Sequence, residues 1–238
     1  MEANASLDEI SIHLLQLRKV LEGHDILRKF EFDENYLVRF LLGTNFHVPD
    51  ALKRILEFHL LFLSDYTWFT TDGPADIIEI LNMNTMIGLP LRDKDGRSVI
   101  LVKLGNLDVS VGTMVMHVHL FHMWAEHFIQ DELSLLKGVC ILIDVNSFSW
   151  GMFKWLTPHT IKTAIRMVEN YPVKEMTFHV VNKSYLLQAA VKLVWPLLSR
   201  EMQCSVTRQA RPVLDRSVTA PNTIEYFWLE CGKTDLRE

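Results

Sequence analysis

The chain has 238 residues and a formal net charge of −5, with 49% hydrophobic and 22% charged residues, which leaves room for one large α/β domain or a small helical domain beside a medium one. The acidic balance excludes a general nucleic-acid binder, which needs a basic surface, and no apolar run approaches the roughly 18–20 residues of a spanning helix. The opening MEANASLDEI has neither signal nor transit pattern, and three widely spaced cysteines, Cys140, Cys204 and Cys231, predict no disulfide framework and no zinc site, so a reducing cytoplasmic setting is expected.

In chain order, residues 6–21 place Leu7, Ile10, Leu14, Leu17 and Leu21 at helical spacing, with Ser6 as cap. DENYLVRFLL, 33–42, predicts a second helix capped by Asp33 and stopped near Gly43. Pro49 opens a third, whose apolar side holds Ala51, Leu52, Ile55, Leu56 and His59, while Lys53, Arg54 and Glu57 are expected in solvent. Helices this short hold only when their apolar faces are packed. Residues 70–74 are the expected boundary between this helical part and the rest. DKDG at 93–96 predicts a turn before a buried strand at 99–104. A helix over 113–130 is apolar on two faces, with Met114, Val118, Phe121, Ala125 and Phe128 on one and Leu120, Trp124 and His127 on the other. There follow a strand at 139–145, a helix from Pro158 capped by Thr157, a strand at 176–181 and a last helix. Strands alternating with helices predict parallel pairing through right-handed crossovers.

The last helix, 184–199, carries Lys192 as its one charge. Leu187, Ala190, Val191 and Val194 form one apolar stripe; Leu186, Ala189, Leu193 and Leu197 form a second. One buried side needs one stripe. The second is expected to meet a bilayer when the helix swings out, with Pro196 weakening the helix near its end as a hinge; coverage by the C-terminal segment is the other reading.

DENYLVRFLLGTNFHVPDALKRILEF, DKDGRSVILVKLGNLD, GVCILIDV, TPHTIK, NYPVK, HVVN and WPLLSREM, in this order and spacing, resemble the CRAL-TRIO lipid-transfer family over about residues 25–203. The resemblance implies an N-terminal helical domain (1–72), then an α/β domain (73–203) with a mostly parallel sheet and a hydrophobic cavity under a lid helix, and leaves 204–238 as a divergent segment. It implies ligand-lining positions at Val118, Phe121, Ala125, Val139, Ile143, Phe148, Leu156, Ala164, Met167 and Tyr171, with Leu187, Ala190, Val191 and Val194 added from the lid and Leu186, Leu193 and Leu197 as membrane contacts. Phe121 and Ala125 stand where tocopherol-binding relatives carry small polar residues, so the expected cargo is apolar with few polar anchors rather than tocopherol itself. Within that, retinoid-, tocopherol- and phospholipid-like shapes stay open.

The chain also departs from the family pattern. Ser147 occupies a place where a glycine is usual, and the sequence after Gln203 loses the family's ending, as an alternative exon or a shifted frame would, and is expected to pack poorly. Glu201, Gln203 and Ser205 stand where relatives carry basic residues, so phosphoinositide binding is not expected.

Enzyme readings are weaker. His119, His122 and Glu126 share one helical face at i, i+3 and i+7, but no HExxH accompanies them, and rings bonded to neighbours are the simpler reading. The chain has no GxSxG elbow, no P-loop and no GxGxxG turn. VNSFSWG with His159 nearby is a pair by sequence proximity alone, and Asp144 is expected to bond a neighbour. Hence no catalytic residue, metal or cofactor is expected. The sequence predicts binding and transfer of a small hydrophobic lipid between membranes. An adaptor with a vestigial cavity is the first alternative, and a serine or metal-dependent hydrolase the second.

Overall fold

A computed structural model describes residues 7–69, 74–182, 185–200 and 203. Several helices start at side-chain caps that satisfy the free N–H groups of a first turn. Asp33 accepts from Asn35 and Tyr36 to open α2 (Glu34–Gly43), Thr113 accepts from Met116 to open α5 (Met114–Ile129), and Thr157 accepts from Thr160 to open α7 (Pro158–Glu169). With α1 (Leu7–Glu22) and α3 (Val48–Ser64), α2 encloses a cluster around Leu17, Leu37, Phe40, Leu41, Ala51 and Ile55. His59 sits among Phe30, Phe32 and Tyr36.

Arg54 and Glu57 do not lie in open solvent as expected. Arg54 donates to the carbonyls of Gly43 and Val173, and Glu57 pairs with Arg166 of α7 at 3.0 Å. The reason is tertiary: α3 lies against α7, so the polar side of an amphipathic helix meets a second layer.

Beyond α4 (Ile78–Asn82) come β1 (Met86–Arg92), β2 (Ser98–Lys103), α5, α6 (Glu132–Lys137), β3 (Val139–Asp144), α7, β4 (Met176–Val181) and α8 (Tyr185–Val194). The sheet order is β1-β2-β3-β4, with β1 antiparallel to β2 and the others parallel. β1, α4 and α6 are absent from the sequence reading. MIGLPLR carries a proline and pairs irregularly between Gly88 and Arg92, so no clean alternation marks it. The DKDG turn closes this hairpin. Asp93 accepts from the backbone of Asp95 and Arg97, and the largely buried Arg97 guanidinium reaches Asp93 at 2.7 Å and Asp95 at 2.5 Å.

Strands β2, β3 and β4 advance in one direction, so right-handed crossovers put α5 and α7 on the same face. Ile100, Val102, Val139, Ile141 and Met176 are buried on that face; Val99, Cys140, Leu142 and Val181 are buried on the other. Gly138, at φ +93°, lets β3 start against β4: a Cβ there would come 2.3 Å from the Glu175 carbonyl oxygen. The last α-helix is shorter than expected. It ends at Val194, and Trp195–Leu197 form a 3-10 turn, because Pro196 has no N–H to give the Lys192 carbonyl and its ring crowds that carbonyl.

Candidate functional site

The sheet face under α5 and α7 is the largest apolar assembly. Val118, Phe121 and Ala125 of α5, Val139 of β3, Met167 of α7 and Tyr171 just beyond it are buried together there, and Ile143 and Ala164 pack against them half-buried. Eight of the expected lining positions therefore meet in one place. Phe148 and Leu156 do not join that cluster: both are half-buried on the segment between β3 and α7, with Phe148 against Phe153 at 5.9 Å. On α8, Ala190 is buried and Val191 and Val194 are half-buried, with no place in the described cluster. Of the expected membrane contacts, Leu193 is 51% exposed, whereas Leu186 and Leu197 are half-buried. The side chain of Leu187 and the expectations for residues 204 onward lie outside the described residues.

A chain of polar residues borders this apolar face. Tyr171, 1% exposed, donates its hydroxyl to Glu126 Oε1 at 3.0 Å, and Glu126 Oε2 pairs with Arg39 of α2 at 3.2 Å. Burial, then the Glu126 charge, pushes the Tyr171 hydroxyl well above its usual value, and burial does the same for Tyr36. His122 Nδ1 lies 3.5 Å from the Tyr171 oxygen. The ring is packed by Phe69, Phe121 and Tyr171. Part of the residue's surface reaches solvent, yet Nε2 is closed off and has no hydrogen-bond partner. Burial, assisted by His119, lowers the His122 pKa to about 4.

The residues considered for chemistry are engaged elsewhere. His119 Nε2 contacts the Thr67 carbonyl at 3.0 Å, and His159 pairs with Asp65 at 3.0 Å. Asp144 accepts from Asn146 N–H and from the Asn182 amide. Cys140 is buried, which raises its thiol to about 11, far from a reactive thiolate. Among the described residues, no three His, Cys, Asp or Glu side chains form a metal-binding group, and no helix is long and apolar enough to cross a membrane.

The sequence profile of the CRAL/TRIO domain matches residues 82–207, more than half of the chain. The chain belongs to the CRAL/TRIO family. It is 25% identical to Clavesin-1 of Rattus norvegicus over 202 residues, covering 83% of this chain and 57% of that one. It is 23% identical to the alpha-tocopherol transfer protein-like of Homo sapiens, covering 79% and 57%. The chain thus spans just over half the length of these curated relatives. The crystal structure of Sfh5 shares the CRAL/TRIO α/β fold, with a TM-score of 0.51 at 11% identity over 86% of this chain and 81% of that one.

Two features bear on the family comparison. Ser147, in the usual glycine place, has φ +60°, a left-handed conformation that costs a side-chain-bearing residue energy. The Arg39–Glu126–Tyr171–His122 chain is what sequence reasoning missed. Its members lie on α2, on α5 and beyond α7, and the one hint was His122 and Glu126 sharing a face of an α5 that also carries His117, His119 and His127.

Proposed function

We propose that this protein binds a small hydrophobic lipid and carries it between membranes without covalent chemistry. The observation that carries this reading is the gathering of residues from α5, β3 and α7 and of Tyr171 on one sheet face, in a family two of whose curated relatives' names include alpha-tocopherol transfer protein-like and Clavesin. In this reading residues 1–72 form a helical domain and 73–203 the lipid domain. Val118, Phe121, Ala125, Val139, Ile143, Ala164, Met167 and Tyr171 line the lipid; Phe148 and Leu156 extend the site, and α8 closes it. Burying ~500 Å² of lipid surface at ~25 cal/mol per Å² is worth on the order of 12 kcal/mol. Ordering costs and the lipid's stability in a bilayer offset much of that, which keeps exchange feasible. The protein is expected to act in the cytoplasm, peripherally on membranes, and not as an enzyme.

Native mass spectrometry of freshly purified protein is the test. A stoichiometric lipid adduct that vanishes in Ala164→Trp, with the far-UV spectrum retained, supports the reading. Protein that carries no lipid and takes none up from vesicles would overturn it in favour of an adaptor.

A further inference from the structure

Several buried polar atoms lack a partner: Thr85 Oγ1, His117 Nε2, His122 Nε2, Trp124 Nε1, Glu169 Oε1, Thr177 Oγ1 and His179 Nε2. Buried polar groups are nearly always satisfied, so each orphan needs an explanation. Thr177 and His179 alternate with Phe178 and point to the sheet face away from α5 and α7. His117 stands against Trp155, outside the apolar cluster. His122 differs from the other two histidines, because its ring touches Phe121 and Tyr171, both in the proposed lipid cluster; Trp124 packs on that cluster too, but its Nε1–H can only donate.

The hydrogen-bond chain fixes which ring nitrogen carries the proton. Glu126 is ion-paired with Arg39, so its carboxylate can only accept. Tyr171 has one proton, and it goes to Glu126 at 3.0 Å. The Tyr171 oxygen therefore turns a lone pair to His122 Nδ1 at 3.5 Å. Two lone pairs face to face repel, so Nδ1 carries the hydrogen and Nε2 is left a bare acceptor. Burial opposes a second proton on the ring, which keeps that acceptor available near neutral pH.

We propose that His122 Nε2 is the polar anchor of the cargo site, selecting lipids whose polar end donates a hydrogen bond, an alcohol or a phenol. This rests on the lipid-carrier reading and sharpens it: the apolar face sets affinity and one acceptor sets orientation. The four groups form a relay, with Arg39 holding Glu126, Glu126 holding the Tyr171 proton, and Tyr171 setting the His122 tautomer.

The test uses hexadecanol and hexadecyl methyl ether, which has no hydrogen to donate, loaded from cyclodextrin onto wild type, His122→Leu and His122→Gln and quantified by native mass spectrometry. Comparing the alcohol-to-ether ratio between variants cancels the probes' different partitioning, as in a double-mutant cycle. The ratio is expected to fall about tenfold in His122→Leu and to recover in part in His122→Gln, whose amide oxygen can accept. Nitrogen-15 shifts of the wild-type ring are expected to report hydrogen on Nδ1. An unchanged ratio in both variants, or hydrogen on Nε2, overturns the proposal and leaves Nε2 to a bound water or to nothing. Failure of the wild type to load either probe while it takes up lipid from vesicles overturns this inference alone; failure to take up any lipid rejects the lipid-carrier reading, and this inference with it.

Discussion

His122 couples the site to pH through its burial. Its folded pKa, about 4, lies below the ordinary 6.5, so the unfolded chain binds a proton that the folded one refuses. Stability from this group is complete above pH 6.5 and is lost as pH falls towards 4. His59, His117 and His179 are lowered by burial too, and add to the slope in the same direction. In denaturant titrations at pH 7 and pH 4, wild type is expected to lose about 2 kcal/mol more than His122→Leu does; equal losses would place the acid sensitivity in the other groups. At Ser147 the argument concerns backbone. Its φ of +60° is free for glycine, so Ser147→Gly is expected to raise the unfolding free energy by about 1 kcal/mol. A lower denaturation midpoint would mean that the serine side chain supports the turn.

At the scale of the element, α8 joins exposed leucine to buried alanine on a single short helix. Leu193 is 51% exposed beside exposed Gln188 and Lys192, Ala190 is buried, and Leu186, Ala189, Val191 and Val194 are half-buried, with Lys192 as the helix's one charge. Under the proposed function, the membrane contact of this helix and the turn after it would rest on Leu193 and the half-buried Leu186 and Leu197. Leu186→Asp with Leu193→Asp is expected to lower vesicle association and transfer rate, with lipid capacity at equilibrium unchanged. Binding should also change little with salt, unlike a polybasic contact. Vesicle binding that survives the double substitution, or collapses in moderate salt, would move the docking surface elsewhere. Trp150, between β3 and α7, is also held out to solvent, 68% exposed and packed on Phe153 at 4.9 Å.

At the scale of the molecule, the helical part and the sheet share their packing. Val38, Phe46 and Phe58 lie against both apolar clusters, and polar ties run across the same seam from Arg39 to Glu126, from Arg166 to Glu57, and from Arg54 to the Val173 carbonyl. Arg54→Leu would leave the Gly43 and Val173 carbonyls without this donor, at an expected cost of ~1–3 kcal/mol. With so much shared surface, unfolding is expected to stay a single transition, followed alike by tryptophan fluorescence and far-UV circular dichroism. Separated transitions in the variant would show that the two parts fold independently and that Arg54 is the tie between them.

The sequence by itself determined the elements whose signals are local. Caps at Asp33, Thr113 and Thr157, the uncharged run of β3 and the helical spacing of α5 and α7 each depend on neighbours within a turn or two of chain, and those elements form within a residue or two of where the pattern puts them. The positions Val118, Phe121, Ala125, Val139 and Met167 that meet on the sheet came from the family resemblance, and periodicity added only that Val118, Phe121 and Ala125 share a helical face. Only the tertiary structure decided the rest. β1 is a strand because β2 offers it an edge, not because MIGLPLR alternates. Arg54 is half-buried because α7 and the turn at Val173 happen to face it. The Tyr171 hydroxyl donates to Glu126, 45 residues away in the chain, and His122 lies beside it. Hydrogen bonds between distant segments leave no period in a sequence, since periodicity records which side of an element is buried and not what it is buried against.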